Sequence, residues 1–204
     1  MRRHNKTFIV IAAAAALVCT FFTSCDSASS LAKNLEGDWS GAPVTVANTP
    51  GVMTTGTDFF YLMRDNKTGG SATVTTMLSV QSTLSPDSSV YQPVDVTVAA
   101  RADAQGTWRT TDDDEMALLI DPTTIKVTVD PEALQLDTQV FTAQNATVLD
   151  SVKPAMAAKI QALVLRQITP YYLRFSHIDD IKVKDATLTC EIGEDHLMMA
   201  RNPK

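Results

Sequence analysis

Apolar and polar residues alternate with a period of two along much of the chain. Val74, Thr76, Leu78 and Val80 share one side of a segment that starts at Gly70. Val94, Val96, Val98 and Ala100 alternate with Asp95, Thr97 and Ala99, and Ile125, Val127 and Val129 alternate with Lys126, Thr128 and Asp130. This is the signature of a half-buried strand. Leu136, Thr138 and Val140 suggest one more strand, and Thr107–Thr110 and Met116–Ile120 two others, parted by a turn at Asp112-Asp113-Asp114. Thr57–Met63 is a short aromatic, apolar run. Short strands divided by Gly, Pro and Asp predict a mainly β chain folded as an antiparallel barrel, with a β-sandwich as the alternative.

One segment changes period. Val152, Met156, Ile160, Leu163, Val164 and Ile168 fall on one face at 3.6 residues per turn, which predicts an amphipathic helix over Ser151–Ile168. Asp150 or Ser151 can cap it, Pro154 falls in its first turn, and Pro170 is expected to stop it. After it, Ile181–Lys184, Leu188–Ile192 and His196–Arg201 are read as strands, the last two joined by a turn at Gly193–Asp195 to form a closing hairpin. No repeat of solenoid period and no domain boundary interrupts this series.

The amino-terminal residues follow a different rule. Arg2, Arg3 and Lys6 precede a short apolar run from Phe8 to Phe22, the arrangement of a secretory signal. A membrane-spanning helix needs about 20 apolar residues, and this run is shorter. Phe22-Thr23-Ser24-Cys25 resembles the cleavage site of a bacterial lipoprotein signal, with Cys19 a poorer rival behind Val18. The resemblance implies removal of residues 1–24 and acylation of Cys25. Two or more acyl chains give stable anchoring where a single chain does not. Residues 25–34, rich in Ser and Ala, are expected to be a flexible tether, followed by one domain over 35–204. No acidic cluster of the kind that marks surface export in some Bacteroidota lipoproteins follows Cys25. By that resemblance the anchor belongs to the outer membrane and faces the periplasm.

The domain opens with Gly37-Asp38-Trp39, which resembles the first-strand signature of lipocalins. In that family an Arg from the last strand lies across this Trp and helps to close the barrel. By residue match the roles fall to Gly37, Trp39 and Arg201, although Gly106-Thr107-Trp108 repeats the tripeptide. The likeness is to small lipocalin-like lipoproteins of Bacteroidota. It implies a barrel holding a small apolar or amphipathic ligand, with Phe59, Tyr61 and Met63 as candidate lining residues.

Charge and chemistry narrow the picture further. The whole chain carries a formal −6; residues 1–24 hold three of its 17 basic and none of its 23 acidic residues, so what remains has 14 against 23, or −9. Nucleic acid and anionic lipid repel such a body, so any membrane attachment must come from the lipid. Once Cys25 is acylated, Cys190 has no cysteine to pair with and is read as a small buried hydrophobe. His177 and His196 show no metal-binding spacing, and Asp112–Glu115 lacks the Gly and Glu positions of a calcium loop. Nucleophile elbows, phosphate-binding loops and dinucleotide fingerprints are missing from the sequence. The expectation is a non-enzymatic protein without cofactor or metal, whose partners are the bilayer through Cys25 and a small ligand. The alternative is a structural accessory that binds another envelope protein.

Overall fold

The computed structural model describes residues 27–85, 93–137 and 146–203. The expected signal, Cys19, Cys25, Thr138 and Val140 lie outside the described residues. The chain forms a mainly β, antiparallel and nearly closed barrel. Its strands are β1 (Gly37–Gly41), β2 (Val44–Thr49), β3 (Val52–Arg64), β4 (Gly69–Leu84), β5 (Val94–Thr110), β6 (Met116–Ile120), β7 (Lys126–Val129), β8 (Gln135–Leu136), β9 (Asp179–Lys184), β10 (Thr187–Ile192) and β11 (Asp195–Arg201). Helix α1 covers residues 27–35, and α2 spans Ala146–Leu173.

The wall is built on a meander of three long strands. β3 and β4 pair without a break from Val52↔Ser82 to Arg64↔Gly70, and β4 and β5 from Gly69↔Arg109 to Leu84↔Val94. Around the barrel the order is β6-β5-β4-β3-β1-β11-β10-β9. The circle closes where Met116 and Ile178 exchange backbone hydrogen bonds of 2.9 Å. β2 pairs only with β3, and β7 and β8 pair only with β5.

The sequence split β5 in two, at Val94–Ala100 and Thr107–Thr110. It is one strand of 17 residues, and its inward row continues through Ala102 and Ala104, 0% and 1% exposed. Alanine hides the alternation because a small side chain carries little hydropathy. Small residues are also what this wall needs, since α2 packs against its inner face.

α2 begins earlier and ends later than expected, so Pro154, expected in its first turn, and Pro170, expected to stop it, both lie inside it. Its buried ridge, Met156, Ile160, Val164, Ile168, Tyr172, runs on beyond Pro170, and Phe175 continues it in the 3-10 turn Arg174–Ser176. An interior proline costs about 3 kcal/mol or more. Burying large side chains such as Tyr171, Tyr172 and Phe175 returns roughly 1.5–3 kcal/mol each, so packing outweighs the break.

The segment expected as a tether is helical from residue 27, which corrects the 25–34 boundary. Ala28, Leu31, Ala32 and Leu35 stand at i, i+3, i+4 and i+7, and all are 6% exposed or less. The described residues 27–34 thus pack as part of the folded domain.

Two interiors follow from this arrangement. Near β1 the core is apolar, formed by Trp39, Phe60, Leu62, Leu118, Leu188 and Met199 among others, and leaves only ≈ 20 Å³ of free space. Along β3–β5 the trough is filled by α2. The barrel therefore encloses its own helix and side chains.

Candidate functional site

Trp39 is fully buried on β1, and its Nε1 donates to the Leu35 carbonyl at 2.7 Å. Its register partner on β11 is Arg201. The Arg201 guanidinium stands 4.2 Å from the Trp39 ring centroid; Nη1 donates to Glu36 O at 2.7 Å, and Nη2 donates to Asn34 O. One cation thus covers an indole face, worth about 0.5–2 kcal/mol, and satisfies carbonyls at and just beyond the end of α1 that have no helical partner. Gly37 is required beside it. Its φ is +131°, and a Cβ there would lie 2.8 Å from Arg201 Nη1. The three residues singled out for closure meet in one knot joining α1, β1 and β11. Trp108, from the second Gly-x-Trp, instead donates to Met63 O at 3.1 Å, on the β5 wall.

Phe59, Tyr61 and Met63 do not line the interior. They are 37%, 47% and 46% exposed, while Phe60 and Leu62 between them point inward. Strand parity decides this: Trp39 pairs with Phe60, which puts the even-numbered row of β3 on the core side. The apolar run Phe59–Met63 has no alternation of its own to reveal its parity.

A second arrangement was not visible in the sequence. After Gly41 the chain leaves β11 and turns into β2, so the start of β11 has β10 on one side and, among the described residues, no strand on the other. A side cleft opens in this seam. One lobe of ≈ 300 Å³ is lined by Val44, Thr45, Tyr171, Phe175, Ile192 and Leu197, with Arg174, Asp195 and His196 at its polar part. An adjoining lobe of ≈ 190 Å³ shares Val44, His196 and Leu197 and reaches Asp58 and Phe60.

The inner end of this cleft is polar and buried. Asp58, 4% exposed, accepts from Thr76 Oγ1 at 2.6 Å and from the Tyr171 hydroxyl. Thr76 Oγ1 lies 2.8 Å from the Tyr172 hydroxyl, which donates to Ala102 O at 3.2 Å. Among the described residues no cation pairs with Asp58. Burial raises its carboxyl above the usual carboxylate range, and the Thr76 and Tyr171 hydroxyls partly oppose that shift. Burial, then the Asp58 charge, holds the Tyr171 hydroxyl protonated well above its ordinary range; Tyr172 is shifted the same way by burial. At the outer end Arg174 pairs with Asp195 and sits 5.7 Å from the Tyr171 ring centroid.

The remaining candidates lie apart from this cleft, except one. His196 is at its mouth, 80% exposed and 3.2 Å from a Glu191 carboxylate oxygen, whereas His177 is exposed elsewhere. Cys190 is buried in the apolar core, which pushes its thiol up to about 12. Asp114 and Glu115 of the acidic turn gather with Asp179, their carboxylate oxygens within 4.8 Å of one another. No protein-family model matches the chain, and no curated protein matches it.

Proposed function

We propose that this is a lipid-anchored, non-catalytic binding protein of the bacterial cell envelope, in which a lipocalin-like barrel holds a small amphipathic ligand in the side cleft between β2 and β11. The signal-like residues 1–24 and Cys25 support the anchor, with the outer membrane and a periplasmic orientation as its setting. The observation that carries the binding reading is the cleft itself. Apolar walls from Val44, Phe175, Ile192 and Leu197 lead from the Arg174–Asp195 pair at the mouth to the buried Asp58–Tyr171 pair within. Concave sites with mostly apolar walls, a few convergent polar groups and shifted acidities are the usual form of a ligand site. The ligand-lining role passes from Phe59, Tyr61 and Met63 to these residues.

The filled interior favours one alternative, an accessory protein with no ligand, whose outward Phe59, Tyr61 and Met63 meet an envelope partner. Native mass spectrometry of the protein from its own cells separates the two. The binding reading expects a small molecule to travel with the wild type and to be lost from Thr45→Trp, which fills the exposed rim of the cleft, at an unchanged melting temperature. Wild-type protein recovered free of any small molecule, yet cross-linked to a partner, would overturn it in favour of the accessory.

A further inference from the structure

We infer that the α1-capped end of the barrel is the membrane face of the protein, and that the domain is mounted directly on the bilayer with no leash between them. This rests on acylation of Cys25 as proposed above.

The argument is one of reach. Cys25 stands two residues before Ser27, the first described residue of α1. A chain extends at most about 3.6 Å per residue, so the lipidated Cα lies within about 7 Å of the Ser27 Cα. α1 is not free to swing. Its apolar face is buried at Ala28, Leu31, Ala32 and Leu35, and Ala28 O accepts from Thr110 Oγ1 at 2.8 Å. At its other end Arg201 holds the carbonyls of Asn34 and Glu36. The described start of α1 is therefore held beside the end of β5 and the β3–β4 turn, where Thr68 O accepts from Thr110 N at 2.7 Å, and the attachment point is within about 7 Å of it. Acyl chains lie in the hydrocarbon and their linkage at headgroup level, which brings Asn66 and Lys67, both exposed in that turn, to the lipid surface. The β2–β3 turn is at the opposite end of β3, 13 residues away. At a rise of about 3.3 Å per residue and a barrel tilt near 40°, this sets it roughly 30 Å further out.

Charge does not produce this orientation. The turn that carries Lys67 and the turn that carries the exposed acidic run Asp112–Asp114 lie at the same end of the wall, next to the Thr68–Thr110 hydrogen bond, so this end presents both signs of charge. The mounting should consequently be insensitive to salt, unlike a surface held by basic residues.

The test uses the full-length, lipidated chain in vesicles of phosphatidylethanolamine and phosphatidylglycerol. With Cys190→Ala as background, a fluorophore is placed at Lys67→Cys or at Asn48→Cys, the latter at the far end of β2, and headgroup spin-labelled lipid is the quencher. The label at position 67 should be quenched several-fold more than that at 48, at low and high salt alike. A Gly-Ser spacer of about 20 residues between Asp26 and Ser27, with a reach of about 25 Å, should abolish the difference. Equal quenching at the two positions in protein that carries its acyl mass and floats with the vesicles overturns the mounting and leaves the anchor intact. Protein that lacks the acyl mass overturns both.

Discussion

The two ends of the β1–β3 wall obey different rules. At Gly37–Trp39 the wall is complete: β1 is paired on both edges, the core behind it is apolar, and only ≈ 20 Å³ is left empty. Beyond Gly41 the wall has a gap, large side chains arrive from α2, and an acid, a threonine and two tyrosines are buried together. The first region has the composition of a structural core. The second keeps polar groups out of water next to an opening, a costly arrangement that a fold tolerates where binding makes use of it.

The comparison breaks most readily at its structural end. Trp39→Ala should cost about 3–5 kcal/mol, seen as a large drop in the urea midpoint, because it empties the packed end and frees both α1 and Arg201. At the helix-filled end, Ile168→Ala should cost about 2–5 kcal/mol. A near-neutral outcome at Ile168 would mean that α2 is dispensable and the trough is not its site.

Asp58 sharpens the contrast through pH. Its folded carboxyl is raised by burial, so the fold binds a proton that the unfolded chain has already released. The associated stability is fully present below the ordinary aspartate value of about 3.9 and is lost as pH rises through the raised folded value. Unfolding midpoints should therefore fall as pH rises from about 3.9 through the raised folded value, and Asp58→Asn should flatten that slope. Tyr171→Phe removes a hydroxyl donated to this carboxylate and should cost about 1.5–3 kcal/mol at neutral pH, with a smaller loss in acid, where Asp58 is protonated. Equal slopes in wild type and Asp58→Asn would place the pH dependence elsewhere.

The smallest effect belongs to the outer wall. Phe59→Ser, Tyr61→Thr and Met63→Thr should each change stability by no more than about 0.5 kcal/mol and leave ligand recovery unaltered. Loss of the ligand with any of them would return these residues to the site.

The junction of β1 with β11 was legible through the first-strand resemblance: Gly37-Asp38-Trp39 near the start and Arg201 near the end named residues that meet. The place where the circle closes, Met116 beside Ile178, carried no such mark. The inward rows of β4 and β5 were legible as far as Ala100, where alanine erased the signal. α1 was also written in the chain as 28, 31, 32 and 35, but its Ser and Ala content looked like a linker. The side cleft was not legible. It joins Val44, Asp58, Tyr171 and Leu197 from four distant segments, and it exists because β2 fails to pair with β11, a matter of register that no local pattern records. The rows of β3 were read the wrong way round, with Phe59, Tyr61 and Met63 as lining, because only the pairing of Trp39 with Phe60 fixes their parity.

The central claim is that the barrel is nearly closed and filled by its own helix and side chains, while the proposed binding belongs to the gap in its wall. Backbone amide NMR during titration with dodecanoate, below its micelle-forming concentration, tests it most directly. The account predicts saturable shifts confined to residues 43–45, 171–175 and 192–198, with the amides of Trp39, Leu62, Leu118 and Leu188 unmoved. Shifts centred on those four core residues, or none in the cleft, would contradict it.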